Sequence, residues 1–464
     1  MTHSTFLTLE LARFACKLTP DAIPARWKRK IILHFIDSLG CGVAARNDQV
    51  LQMSAKLARS QYAAGSSITL DGGSQLSSSG AAFLNAVAIN ALDYDDGFEV
   101  AGRGMGHPGA TLVAGALAAI GSQPVSGEAL LTALVAAWEI NGRVILSQQP
   151  SPERFREVYG VCQHESLGAA VAFGLLRGCD ASALENCLGL AASLTPLPSL
   201  HKYNWQQRPL VSFKDYNAPA AEAGVRAVEM HLSGIVGPRD VLAGEQGFWR
   251  MMGSDMFRPE ILTDNLGSSW LLQHASFKAY PTCRWMHTAL ESFEGALKAL
   301  TAPEKILRVR VYGSQLLADF FTDTRPESGT DAQFSLPLAI ACLAFNIPRH
   351  LWSSEKVRTS TRLLEFADKV EVLAETRFDQ LMREFRRPAA RVEVVTEDAV
   401  VTGDTIDFPL GSQENPLSEQ KIIDKFIANL SSRLPTEKAE GIAARLLDLE
   451  RGEDIGALLA PMLE

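Results

Sequence analysis

The 464 residues are 47% hydrophobic and 21% charged, too long for one ordinary core and too apolar for disorder, so two or three domains are expected. A formal net charge of −9 excludes a general nucleic-acid binder but leaves room for an anionic substrate held by a local group of cations. No h-region follows Met1 and no apolar stretch of about 18 residues runs uninterrupted, so neither a signal peptide nor a membrane partner is expected.

The first half reads as helix after helix. Trp27, Ile31, Ile32, Phe35, Ile36 and Leu39 recur at helical spacing, with Lys28, Arg29 and Lys30 between them. Further helical runs are expected over 80–92, 109–120, 127–146, 166–176, 181–192 and 218–232, many of them rich in Gly and Ala. Glu139, Asn141 and Arg143 interrupt the most apolar of these, which predicts a buried helix. Almost nothing before residue 300 alternates with period two, so strands are expected only later.

Beyond about residue 265 the pattern changes. Residues 306–312 and 369–373 alternate as strands, and 390–395 with 400–402 reads as a hairpin. Helices are expected between them over 287–300 and 332–345. After Pro409 the chain turns helical again, with Ser418 as a cap and a last helical stretch over 439–459. The expected fold is mainly α: a large, discontinuous all-helical domain (1–265 with 410–464) plus a smaller α+β domain (266–409).

Seven cysteines form no CxxC pair and no even set, which points to reduced thiols. That fits a cytoplasmic protein, or the mitochondrial matrix in a eukaryote. No HExxH, calcium loop, Walker or GxSxG pattern occurs, so no metal or nucleotide cofactor is expected.

Four segments place polar groups where a core would not want them. Asp93, Asp95, Asp96 and Glu99 crowd the end of a helical run, where they oppose the macrodipole. His107 stands between glycines before Pro108, at the start of a helix whose free N–H groups make a ready anion site. Lys214 precedes another helix. Lys278, Tyr280, Cys283, Arg284 and His287 follow one another in a short aromatic turn, with Arg284 and His287 on one helical face.

Taken in order, ALDYDDGFE, GHPGATLVAGALA, SLGAAVAFGLLRGCD, AGEQGFWRMM, FKAYPTCRWMH, AQFSLPLAIACL and ENPLSEQKIIDKF resemble the MmgE/PrpD family. That family includes 2-methylcitrate dehydratase, cis-aconitate decarboxylase and iminodisuccinate epimerase. The resemblance implies a helical domain with an α+β domain, a homodimer, and an active site in the cleft between domains. It puts Asp93 and His107 on the first acidic and histidine positions. It puts Lys214 and Lys278 on lysines of the site. The chain departs from the decarboxylases at Gly97, Tyr159 and Cys283, where threonine, histidine and histidine stand; His164 and His287 are the candidates to compensate.

The chemistry implied is proton transfer beside a carboxylate of a small di- or tricarboxylic acid, with no cofactor. In this reading His107 moves the proton and Asp93 holds its tautomer. Lys214 and Lys278 clamp carboxylates, with Arg284, His287 and Cys283 as further substrate contacts, and Tyr159 or Tyr280 donates a second proton. Dehydration of the 2-methylcitrate type comes first; decarboxylation and epimerisation run through the same anion. A catalytically silent carboxylate-binding protein is the alternative of another class.

Overall fold

The computed structural model describes residues 6–121, 123–158, 162–197, 208–210, 215–300, 302–451 and 454–463. The protein is mainly helical, with a smaller α+β unit in its second half. Its principal core is built from the helices Ala25–Ala44, Ser78–Asn90, Pro108–Ala118, Gly127–Ser147, Glu165–Leu176 and Asn217–Leu232. Small residues let these helices approach closely. A Cβ on Gly224 would lie 2.4 Å from the Ser166 carbonyl oxygen, so only glycine permits that crossing.

The helix Gly127–Ser147 is long and apolar enough to cross a membrane by length and composition, yet most of it is buried within the fold. Its internal charges explain why it belongs there. Arg143 Nε bonds Glu139 at 2.7 Å, and the same guanidinium donates to the carbonyls of Ile261, Asp264 and Ser269 at 2.9–3.0 Å. A buried charge this fully matched ties the 261–269 segment to the helix.

The C-terminal helices return to this core. Ser418 caps Glu419–Leu430 by accepting from Lys421 N at 3.3 Å. Phe426, Leu430, Ile442 and Leu446 are buried in the same cluster as Leu11 and Ala275. A fully buried phenylalanine such as Phe426 contributes roughly 1.5–3 kcal/mol, enough to hold the tail down. A separate core forms around Tyr280, Phe293, Val309, Val311, Ile340 and Val392. There Ile306–Gly313 pairs in parallel with Val370–Ala374 and antiparallel with Arg391–Thr396, which also pairs with Val400–Thr402.

Two expectations are corrected. The predicted helix over 332–345 is broken: Gly329–Ala332 ends, and Ser335 starts Leu336–Ala344 afresh by capping Leu338 N at 3.2 Å. Strands also occur before residue 300. Asp96–Val100 lies between Arg103–Gly106 and Ala275–Phe277 in a three-stranded antiparallel sheet. This small sheet carries three of the four polar segments into contact, because Asp96 pairs with Phe277, the neighbour of Lys278, and Phe98 pairs with Gly106, the neighbour of His107.

Candidate active site

Helix Ser78–Asn90 ends just before Asp93, whose backbone adopts the left-handed conformation at φ 49°. Asp tolerates that region better than most residues, but it is strained. The turn aims the acidic segment inward rather than into solvent: Asp93, Asp95, Asp96 and Glu99 are all buried. Lys278 reaches in from the strand opposite. Its ammonium bonds the Asp93 carboxylate and also the Asp93 carbonyl at 3.2 Å, with both side chains fully buried.

His107 is the residue before Pro108–Ala118. Its Nδ1 lies 2.6 Å from the Asp96 carbonyl oxygen, which can only accept, so Nδ1 carries the proton. In the neutral imidazole Nε2 bears the lone pair, and it lies 3.6 Å from Asp215 Oδ2. The expected tautomer holder was Asp93; the Asp96 carbonyl fills that role, and Asp93 is engaged by Lys278. Nitrogen and oxygen atoms of Asp93, His107 and Asp215 still fall within 4.8 Å of one another. A metal could be considered on that spacing, but the Lys278 ammonium on Asp93 already supplies the positive charge there.

The open helix N-terminus expected as an anion site is filled by the protein itself. Gly109 N–H donates to Asp96 Oδ1 at 2.8 Å, and His107 N–H donates to Glu165 Oε1 at 3.0 Å. A Cβ on Gly109 would sit 2.7 Å from Asp96 Cγ, so this docking needs glycine. Glu165 Oε2 accepts from Thr111 Oγ1 at 2.6 Å and Asn217 Nδ2 at 2.7 Å. Asn90 Nδ2 bridges Asp95 at 3.2 Å and Asp215 at 3.5 Å.

So many carboxyls in one dry place do not all ionise. Burial pushes Asp95 up to about 7, against the pull of Lys278 and with the help of Asp93 and Asp215. Burial also pushes Glu165 up to about 8, and Asp96 well above the usual range with Asp95 adding to it. The cluster therefore holds protons near neutral pH. It offers a lone-pair nitrogen, a buried ammonium and neutral carboxyls side by side.

The aromatic turn is used differently than expected. Arg284 Nε bonds Glu99 Oε1 at 2.7 Å, and its Nη1 donates to the Leu410 carbonyl at 2.8 Å. His287 is fully buried, between Arg284 Nη1 at 3.1 Å and the Thr282 carbonyl at 3.2 Å. Tyr280 gives its hydroxyl to Glu294 at 2.7 Å. These bonds tie Arg284, His287 and Tyr280 to neighbouring groups of the protein. Cys283 is half-buried and donates its N–H to the Gln333 carbonyl at 2.9 Å. His164 is buried against Phe248, and burial holds it down at about 4. Lys214 and Tyr159 lie outside the described residues.

Asp215 and Glu165 escaped the sequence reading. Glu165 looks like an ordinary first-turn acid that favours the helix dipole. Asp215 follows Lys214 and looks like half of a solvated pair; nothing local shows that both face His107.

A mainly helical protein with a Lys–Asp pair, a histidine and protonated carboxyls beside the seam of two cores is what this chain presents. It belongs to the MmgE/PrpD family: the model of the MmgE/PrpD N-terminal domain matches residues 9–260 and that of the MmgE/PrpD C-terminal domain residues 280–450. The chain is 25% identical over 447 residues to cis-aconitate decarboxylase of Homo sapiens, covering 94% of this chain and 90% of that one. It is 26% identical over 460 residues to cis-aconitate decarboxylase of Mus musculus, covering 94% and 88%. It is 22% identical over 477 residues to the cis-aconitate decarboxylase-like protein oryM of Aspergillus oryzae, covering 98% and 96%. At family level it stands among lyases, dehydratases and decarboxylases.

Proposed function

We infer that this chain is a lyase that moves a proton at the carbon beside a carboxylate of a small di- or tricarboxylic acid, in the manner of a 2-methylcitrate dehydratase. One observation carries the reading: the Asp96 carbonyl fixes the proton on His107 Nδ1, leaving Nε2 as a base that faces Asp215 beside the Lys278–Asp93 pair.

His107 Nε2 takes the proton from the carbon. Negative charge then grows on the adjoining carboxylate, and Lys278, joined by Lys214, stabilises it. Asp215 stabilises the imidazolium that forms. A protonated carboxyl, Asp95 or Glu165, gives its proton to the departing hydroxyl, which leaves as water. The substrate's net oxidation level does not change, because one carbon gains what its neighbour loses, so the step calls for no redox cofactor.

Decarboxylation is a second reading, favoured by the relatives named cis-aconitate decarboxylase. There CO₂ departs first, and His107, starting as an imidazolium with Nε2–H toward Asp215, gives that proton to the carbanion left behind. Product NMR with citrate, 2-methylcitrate, cis-aconitate and iminodisuccinate separates water loss, CO₂ loss and epimerisation. Thermal stabilisation by one of these acids with no turnover of any would replace the lyase reading by a silent carboxylate binder. Indifference to all four would sink both.

A further inference from the structure

The helix Glu419–Leu430 buries Ile422, Lys425, Phe426, Asn429 and Leu430, the spacing of a core-facing stripe. A lysine at a core position of that stripe is out of place for packing alone, because a buried ammonium is costly unless it is well matched. Lys425 is matched. Its ammonium lies 2.7 Å from the Asp37 carboxylate of helix Ala25–Ala44 and donates to the carbonyls of Tyr94 at 2.5 Å and Lys278 at 3.1 Å. Three oxygens thus surround an ammonium that has three N–H donors. The Tyr94 ring covers the same cation at 3.8 Å.

Two of those three oxygens belong to the segments that carry the candidate site. The ladder between Asp96–Val100 and Ala275–Phe277 ends at the pair Asp96 and Phe277, followed by one last bond, from Lys278 N–H to the Asp95 carbonyl at 3.3 Å. Next to that bond the Tyr94 and Lys278 carbonyls converge on one point, the Lys425 ammonium. Two carbonyl dipoles aimed at one point repel each other, and a shared cation turns that repulsion into a clamp. The side chains rooted beside the clamp are the Asp93 carboxylate and the Lys278 ammonium, which bond each other.

We propose that Lys425 is a positioning residue for the reaction: from the C-terminal helix it clamps the backbone on either side of the Lys278–Asp93 pair and so sets where the Lys278 ammonium stands. It acts through Lys278 and not on the substrate, and its role in the rate rests on the His107 cluster being a lyase site. Lys278 has to meet negative charge that grows in the transition state, so a displaced Lys278 lowers kcat more than it raises KM. A misplacement of about 1 Å is enough to cost on the order of 10²-fold.

The test uses the full chain and two variants. Lys425→Met combined with Asp37→Leu replaces the ion pair by apolar groups, so no charge is stranded, while the two carbonyls lose their donor. Lys425→Ala leaves room beside the cleft lined by Lys425, Leu417 and Ala428, and n-propylamine, whose cation matches the missing part of the side chain, refills it. Thermal unfolding fixes a temperature at which each variant is fully folded, and kinetics there use whichever of the four acids the wild type turns over. Each variant is expected to lose about tenfold to about a hundredfold in kcat, with KM within about threefold of the wild type. Propylamine is expected to raise kcat of Lys425→Ala at least about tenfold and to leave the methionine variant unchanged; propan-1-ol restores neither. The crystal structure of the double variant is expected to show the Lys278 ammonium shifted relative to His107 by about 1 Å or more. An unmoved Lys278 ammonium overturns the proposal, and so does a wild-type kcat in either folded variant, whatever the fall in Tm. A wild type that turns over none of the four acids overturns the lyase reading instead, and the crystal structure still decides whether Lys425 places Lys278.

Discussion

His107 Nε2 faces Asp215 Oδ2 at 3.6 Å while its Nδ1 is held 2.6 Å from the Asp96 carbonyl oxygen. The imidazole is thus fixed at one nitrogen by the small sheet and left basic at the other. Only a folded chain produces this, because Asp96 on the central strand and Asp215, two residues ahead of Asn217–Leu232, come from distant segments.

If His107 is the base, His107→Ala should fold normally and lose roughly 10²–10⁴ in kcat. Asp215→Asn should lose less. Its acidic limb in the pH profile of kcat/KM should move to lower pH, because the imidazolium loses its counter-charge. An unchanged profile in Asp215→Asn would remove Asp215 from the mechanism.

Lys278 and Asp93 are both fully buried and bonded to each other. Removing one partner strands a charge, so Lys278→Ala should cost about 3–5 kcal/mol of stability by denaturant titration. Lys278→Met combined with Asp93→Leu should recover most of that loss while showing no turnover. Recovered turnover in the double variant would mean that the pair serves the fold alone.

The helices of the principal core were legible because apolar periodicity survives in a long run; 80–92 was expected where Ser78–Asn90 stands. The small sheet was not legible. Its central strand, Asp-Gly-Phe-Glu-Val, is buried on both faces except at its end, so it shows no alternation, and its partner Ala275–Phe277 is remote in sequence. For the site, Asp93, His107 and Lys278 stood out as polar groups in apolar or glycine-rich surroundings. The shared face of Arg284 and His287 was also read from spacing. What spacing could not give was the direction of that face, which turns inward to Glu99 and the 409–410 backbone.

The atoms of Asp93, His107 and Asp215 come close enough to suggest a cation site, but the Lys278 ammonium competes for it. Turnover should therefore be unchanged after exhaustive EDTA treatment and after adding back Mg²⁺, Mn²⁺ or Zn²⁺. Loss on chelation with recovery by one metal would reverse this assignment.

Arg284 separates bracing from substrate binding. It is 7% exposed and bonded to Glu99 and to backbone carbonyls. Arg284→Ala should lower stability by about 3–5 kcal/mol, visible as a fall in Tm. At a temperature where the variant is still folded, KM should be close to the wild-type value. A large rise in KM without a change in Tm would restore Arg284 as a substrate contact.

The raised carboxyls set a pH dependence of stability whose sign is opposite to that of an ion-paired aspartate. Asp95 keeps its proton in the folded protein up to about 7, whereas the unfolded chain releases it near the ordinary value of 3.8. Between those values the folded state binds more protons, so its stability falls as pH rises. The contribution is fully present below the unfolded value and is lost as pH climbs through the folded one. One such group changes stability by at most about 1.4 kcal/mol per pH unit. Asp95→Asn cannot titrate, so the variant should lack this slope. Buried His34 and His287, which burial holds well below the usual histidine range, pull the other way, but they are present in both proteins and cancel in the difference. Denaturant titrations between about pH 5 and pH 8 should show the wild type losing stability relative to Asp95→Asn as pH increases. A constant difference across that window would mean that Asp95 is ionised throughout, and the protonated carboxyl invoked for the departing hydroxyl would have to be Glu165.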